Sequence, residues 1–262
     1  MTKPRFDTTG LWPEIAAIVE SDKLFSKLPA SLLSVSADAK TVKGEAGGVL
    51  TGILYLSPAD TVSKKTLCPY ADIAGCKADC LNTAGRGAFS NVQRARVRKT
   101  LFWQQYPREF MALLVADVKR LQRKAARLGM TPAVRLNGTS DIRWEKIGDG
   151  IIFDVFPEIQ FYDYTKIPCR TVPANYHLTF SFSGRPVFQK AVCKQIDHDP
   201  DINIAAVFSD HLPAEFLGRT VLDGDRSDVR FNDTSGAIVG LIAKGRAKTS
   251  TSGFVYRNST GA

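Results

Sequence analysis

No apolar stretch in the chain approaches the roughly 18–20 residues needed to cross a bilayer, so a transmembrane helix is excluded. The first residues, Met1-Thr2-Lys3-Pro4-Arg5-Phe6-Asp7, lack the apolar core of a signal peptide. Internal repeats and low-complexity tracts are also missing. Cysteine is scarce, at five in 262 residues, and without a secretory signature the five are read as reduced thiols rather than bridges. What is present is ordinary for a globular protein: 44% hydrophobic and 23% charged residues, enough to bury a core in one large domain or two small ones. The division expected is an N-terminal extension over 1–45, a main domain over 46–254 and a polar tail over 255–262.

The net charge of +9 suggests a polyanionic partner. Much of the excess lies between Arg86 and Arg127, with Arg94, Arg96, Arg98, Lys99, Arg120 and Lys124 among its members. That region reads as a long helix over Phe89–Leu128, broken near Tyr106-Pro107 and closed by Gly129. A helix carries charge on its outer face for solvation alone, so nucleic-acid binding is the less favoured alternative.

Elsewhere the pattern alternates. A short helix is expected over Trp12–Glu20, a surface connection over Ser34–Glu45, and a buried strand over Val49–Leu56. Further strands are expected at Pro132–Asn137, Ile159–Tyr164, His177–Phe182 and Ile202–Phe208, with weaker ones at Arg219–Leu222 and Ala237–Ile242. A short helix is placed around Trp144–Phe156, and the polar tract Thr249–Gly253 is expected to fray. Strands alternating with helices call for parallel pairing through crossovers, which predicts a (β/α) barrel-like fold, TIM-type or partial. The doubly wound open sheet is the competitor.

In such a fold the polar residues after each strand share one face with the loop that follows the first strand. Asn137, Asp141, Tyr164, Lys166 and Asp225 are the candidate catalytic residues on that face. Arg86, beside Gly85 and Gly87, is a candidate contact for an anionic ligand or cofactor.

The densest chemical signal is in that first loop. Cys68, Cys76 and Cys80 lie within thirteen residues, separated by seven residues and then by three. Iron is soft, thiolate is its matching ligand, and a loop can wrap three sulfurs around one face of a [4Fe–4S] cube. Structural zinc wants four ligands, and Cys169, Cys193, His177, His198 and His211 all lack short-range spacing to the trio. Three reduced cysteines that merely fall close together are the bland alternative.

A cube held by three cysteines, on the loop after the first strand of a partial barrel, is similar to the radical S-adenosylmethionine enzymes. Those enzymes space their cysteines three and two apart. The glycine-rich segment after their second strand is replaced here by Asn137-Gly138-Thr139-Ser140-Asp141, and S-adenosylmethionine stays an open alternative as a second cofactor.

A closer resemblance rests on several segments in order. They are Thr51–Pro58, Cys68-Pro69 with Cys76 and Cys80, Ala84–Phe89, Arg135–Asp141, Tyr162–Lys166, Asn175–Ser181, Asp223-Gly224-Asp225 with Asp228, and Ile238–Gly245. Together the set resembles a gene-product-88-like family of tailed bacteriophages and prophages, over roughly residues 38–254. The resemblance implies a viral protein in the cytoplasm of an infected bacterium, with Cys68, Cys76 and Cys80 as the thiol trio. It leaves reaction and substrate open. The expectation is a redox iron–sulfur protein, radical enzyme or not. The alternatives are an electron-transfer or host-modulating cluster protein with a small-molecule or protein partner, or a nucleic-acid-binding protein.

Overall fold

The computed structural model describes residues 6–37, 42 and 44–257; the remaining residues of the expected extension and tail lie outside it. Strand β1 (Leu33–Val35) runs antiparallel to β2 (Val49–Leu54), which is buried along its whole length. A strand buried on both faces is the mark of a parallel sheet interior. Five further strands pair in parallel: β3 (Thr131–Arg135), β4 (Gln160–Thr165), β5 (Tyr176–Ser181), β6 (Ile204–Phe208) and, beyond a hairpin, β9 (Ile238–Ile242). That hairpin is β7 (Glu215–Phe216) with β8 (Arg219–Asp223), and β8 lies parallel to β9 on its outer side.

The sheet order is therefore β1-β2-β3-β4-β5-β6-β9-β8-β7. Most of its strands follow one another in sequence, as successive right-handed crossovers dictate. The expected closure into a barrel is corrected: the sheet is open. The physical reason lies at its edges, since antiparallel β1 occupies the free side of β2 and the β7–β8 hairpin occupies the free side of β9. Both edges that closure would pair are already taken.

The helices are α1 (Pro13–Ser21), α2 (Ser90–Gln105), α3 (Pro107–Leu128), α4 (Ile151–Val155) and α5 (Pro186–His198). Proline opens α1, α3 and α5, where its missing N–H costs nothing. The expected break at Tyr106-Pro107 separates α2 from α3, and Gly129 ends α3 at φ 65°. Helix α3 buries Phe110, Leu114, Val118, Leu121 and Ala125, a stripe at spacings of four and three laid on the core it shares with β2 and β3. Trp103 and Trp144 close that core with ring centroids 5.1 Å apart.

The N-terminal segment is built into the same core through Phe6, Val19, Phe25 and Leu32. The basic residues of α2 and α3 turn out to be its anchors. Arg94 pairs with Asp22 at 3.1 Å, Arg98 Nη2 donates to Leu28 O at 2.6 Å, and Lys124 Nζ donates to Ser36 Oγ at 3.0 Å. Lys99 Nζ donates to Leu32 O at 2.6 Å. Buried asparagine and aromatic partners, Asn82 and Tyr55, take Arg96. Four of the ten lysines and arginines on these two helices thus hold the N-terminal segment in place.

Burial, with Arg96 and Arg98 close by, pulls the Lys99 pKa from 10.5 down to about 8. A lysine whose folded pKa lies below its unfolded value binds fewer protons when folded. Stability therefore rises with pH from about 8 to about 10.5. Replacing Lys99 by methionine should stabilise the fold at pH 7 by roughly 1–2 kcal/mol after the lost hydrogen bond is allowed for. Urea unfolding at pH 7 and pH 10 checks this, because the advantage of the variant must shrink at the higher pH.

Candidate thiol site at the carboxyl ends of the strands

The chain leaving β2 crosses the carboxyl ends of the parallel strands before entering α2, and this crossing carries Cys68, Cys76 and Cys80. All three are half-buried. The backbone N–H of Ala59 donates to Cys68 Sγ at 3.2 Å, and that of Asn82 to Cys80 Sγ at 3.5 Å. Cys80 also caps the short 3-10 turn Leu81–Thr83. Cys76 packs beside Tyr70 in the core that contains Phe188, and its thiol lies 3.8 Å from Ala71 O. Burial pushes Cys68 up to about 12, with Asp141, Cys80 and Cys76 adding to the rise. Burial also raises Cys76, while Lys166 opposes the rise. The three thiols thus lie within electrostatic reach of one another. Among the described residues no group of three or more His, Cys, Asp or Glu side chains is gathered closely enough to hold a metal ion.

The loop is stitched to successive strand ends. From β3, Asp141 N donates to Leu67 O at 2.8 Å and Gly138 N to Leu54 O at 3.0 Å. Gly138 must be glycine here, since an added Cβ would stand 2.7 Å from Ile53 and Tyr55 side chains and 2.8 Å from Leu54 O. Beyond β5, Ser183 Oγ donates to Ala74 O at 2.7 Å and Arg185 Nη1 to Asp72 O at 2.5 Å. Beyond β9, Ser252 Oγ donates to Asp79 Oδ2 at 2.6 Å, and Ser250 does the same. The tract expected to fray is in fact a clasp on the cysteine loop.

The candidate residues fall into three groups. Asn137 and Asp141 sit at this rim with every polar atom committed. Asn137 Oδ1 accepts from Ser140 Oγ and Ile142 N, both at 2.9 Å, and from Trp144 Nε1, while Nδ2 donates to Ile142 O. Asp141 accepts from Thr165 Oγ1 and Lys166 N, each at 2.8 Å, and faces Arg170 at 3.6 Å. Asn137 thus folds the loop after β3 on itself, and Asp141 ties that loop to the end of β4. Lys166 is the second case: buried at the same rim, its Nζ donates to Ser181 Oγ at 2.7 Å, Ser181 O at 3.2 Å and Phe182 O at 3.3 Å.

Tyr164 and Asp225 stand apart from the loop, while Arg86 lies on the same crossing between Cys80 and α2. Tyr164 lies on the other face of the sheet under the Arg135 guanidinium, 4.8 Å from ring centre to Cζ. Asp225 takes Lys244 and Ile242 N and so holds the exits of β8 and β9 together. Arg86 is exposed and donates to Ala37 O at 3.2 Å.

Cys169 Sγ is turned to Lys194 O at 3.5 Å, and Cys193 is exposed on the same helix, α5. His177 belongs to the opposite sheet face, where burial and Arg230 hold its pKa below the usual histidine value.

Sequence reasoning missed the buried charge network beneath the rim. Arg135 pairs with Asp228 at 2.7 Å, and Arg170 forms a fork to Glu145 at 2.5 and 3.1 Å. Asp163 accepts from Asn137 N, Leu136 N and Tyr176 OH at 2.8, 3.2 and 2.9 Å. One signal was available. Arg135 follows Ala133 and Val134 inside an apolar strand, and an arginine there demands a buried partner.

An open, largely parallel α/β sheet that carries a thiol-bearing loop across its carboxyl rim is the class that this fold and site define. The family model of gene product 88 matches residues 31–258, nearly the whole chain. The protein belongs to the gene product 88 family, a phage-type family. No curated protein and no solved structure matches it.

Proposed function

We propose that Cys68, Cys76 and Cys80 hold an iron–sulfur cluster, a [4Fe–4S] cube with three protein thiolates, in a phage protein that works in the cytoplasm of the infected host. One observation carries this reading: three thiols lie on a single loop that is stitched at several points to the strand ends. Thiolate is the donor type that iron prefers, although among the described residues no three such side chains are gathered closely enough to hold an ion. Two of the sulfurs already accept backbone N–H bonds, which stabilise thiolate ligands, and a buried ammonium, Lys166, lies within electrostatic reach. Cys169 and Cys193 are directed elsewhere, which supports three protein ligands rather than four. The bound cluster would supply one-electron chemistry, and an iron without a protein ligand would accept a small chelating molecule, S-adenosylmethionine being one candidate.

Within this reading electron transfer to or from a partner is favoured over a catalytic pocket. The supporting observation is that every side-chain polar atom of Asn137, Asp141 and Lys166 already has a partner inside the protein. The chain's own residues fix the loop through hydrogen bonds to the strand ends. Likewise, the anchored arginines of α2 support a packing role over nucleic-acid binding.

Anaerobic purification followed by visible absorption and by iron and sulfide analysis tests the proposal. Broad absorption near 400 nm with about four irons and four sulfides per chain is expected. Colourless protein, or protein with stoichiometric zinc and no iron, would overturn it. Binding of S-adenosylmethionine to the reduced protein would favour the radical enzyme over the electron carrier.

A further inference from the structure

The net charge of +9 is concentrated in two stretches of the chain. Residues 80–108 and 234–262 hold ten of the 35 lysines and arginines and none of the 26 aspartates and glutamates. The rest of the chain, with 25 basic and 26 acidic side chains, is close to neutral. The fold brings these two acid-free stretches together. Gly245, at φ 57°, lies so near Ala84 that an added Cβ would stand 2.9 Å from the Ala84 Cβ. On one side of this contact the 3-10 turns Leu81–Thr83 and Gly85–Ala88 pack on each other, a Cβ on Gly87 falling 3.2 Å from Leu81 O. On the other side is the 3-10 turn Gly245–Thr249.

The basic residues of α2 do not face outward here. Arg94, Arg98 and Lys99 are bound to the N-terminal segment, and Arg96 is buried on Asn82. The outward charge lies on the turns, where Arg86, Lys244, Arg246 and Lys248 are exposed. Lys244 is paired with Asp225, and Arg86 donates to the neutral Ala37 O. Arg246 and Lys248 have no ion-pair partner among the described residues. Beside this charge two apolar side chains stand in solvent, Phe89 at 58% and Leu81 at 46% exposure.

We infer that this surface binds single-stranded nucleic acid, with Arg86, Arg246 and Lys248 against phosphates and Phe89 as the platform for a base. A phosphate backbone supplies the negative charge that both stretches lack, and every base offers a π-face to a ring. A duplex is the poorer fit, because α2 has its basic side chains bound inward and brings none of them to a groove. None of these four residues is a proposed iron ligand, so the surface does not depend on the cluster.

The test is fluorescence anisotropy of the full chain with a labelled oligothymidylate of about 20 nucleotides, over roughly 50–300 mM salt. Wild type should bind with a log–log salt slope near about −2, as three phosphate contacts on a single strand predict. Arg86→Gln/Arg246→Gln/Lys248→Gln should bind about tenfold or more weakly at the lowest salt and lose most of that slope. Phe89→Ala should weaken binding about fivefold or more with the slope unchanged. Lys190→Gln/Lys194→Gln, at exposed positions on α5, removes charge elsewhere and should stay within about twofold of wild type. Should the triple variant fail to fold, Arg246→Gln/Lys248→Gln carries the same comparison. No wild-type binding at roughly 100 µM protein and 50 mM salt would overturn the inference. So would tighter binding to a duplex of the same length, or an equal loss in the α5 variant. Binding confined to vesicles of phosphatidylserine and phosphatidylcholine would overturn it too, since the surface would then belong to a membrane.

Discussion

Replacing Cys68, Cys76 or Cys80 singly by serine should remove at least about nine-tenths of the visible absorption and most of the iron from anaerobically prepared protein. A hydroxyl is a harder and more weakly acidic donor than a thiol, so it binds cluster iron poorly at neutral pH. Cys169→Ser and Cys193→Ser are the matched controls. The first thiol points to the backbone of α5 and the second lies in solvent, so both variants should keep the wild-type spectrum and iron content. Iron and sulfide analysis of the five variants decides the matter. Loss of iron in Cys169→Ser would show a fourth protein ligand. Retention in all of the first three would show that the trio is not the site.

The largest expected effect on stability is at Asp117 on α3, which has only 2% of its side chain exposed. Its Oδ2 accepts from Leu32 N at 2.5 Å, Leu33 N at 3.0 Å and Ser31 Oγ at 3.1 Å, and Arg120 pairs with its other oxygen. One carboxylate thus satisfies two backbone donors at the start of β1, which lies on the outer edge of the sheet. Asp117→Ala leaves those N–H groups buried without an acceptor, at a cost of roughly 3–5 kcal/mol. Asp117→Asn keeps one acceptor oxygen and should lose about half as much. Urea unfolding measures both. Asp197→Ala, at an exposed carboxylate on α5, should stay within about 0.5 kcal/mol of wild type. A loss below about 1 kcal/mol in Asp117→Ala would mean that β1 is not held through this residue.

Most of the individual elements were legible in the linear order of residues because their causes are local. The break at Tyr106-Pro107 and the stop at Gly129 follow from the backbone limits of proline and the freedom of glycine. Strands β2, β6 and β9 announce themselves as apolar runs, because both faces of a parallel sheet are covered, and β3, β4 and β5 as short segments rich in aromatic or β-branched residues between polar turns. Strand β1 was missed: it is three residues long, and its pairing with β2 gives its sequence no period of its own.

Residue types and their order along the chain therefore determined the parallel strands, the two long helices and the gathering of Cys68, Cys76 and Cys80 on one loop. Whether the sheet closes was decided elsewhere, by which strands reach its two edges, and those contacts join residues far apart in sequence. The same holds for the side chains at the rim. Polarity at a strand end marks Asn137, Asp141 and Lys166 equally. Only the folded chain shows that Asn137 closes its own loop, Asp141 ties that loop to β4, and Lys166 carries a buried ammonium to the exit of β5. A side chain's free valences depend on what the tertiary structure brings against it, and no local pattern carries that information.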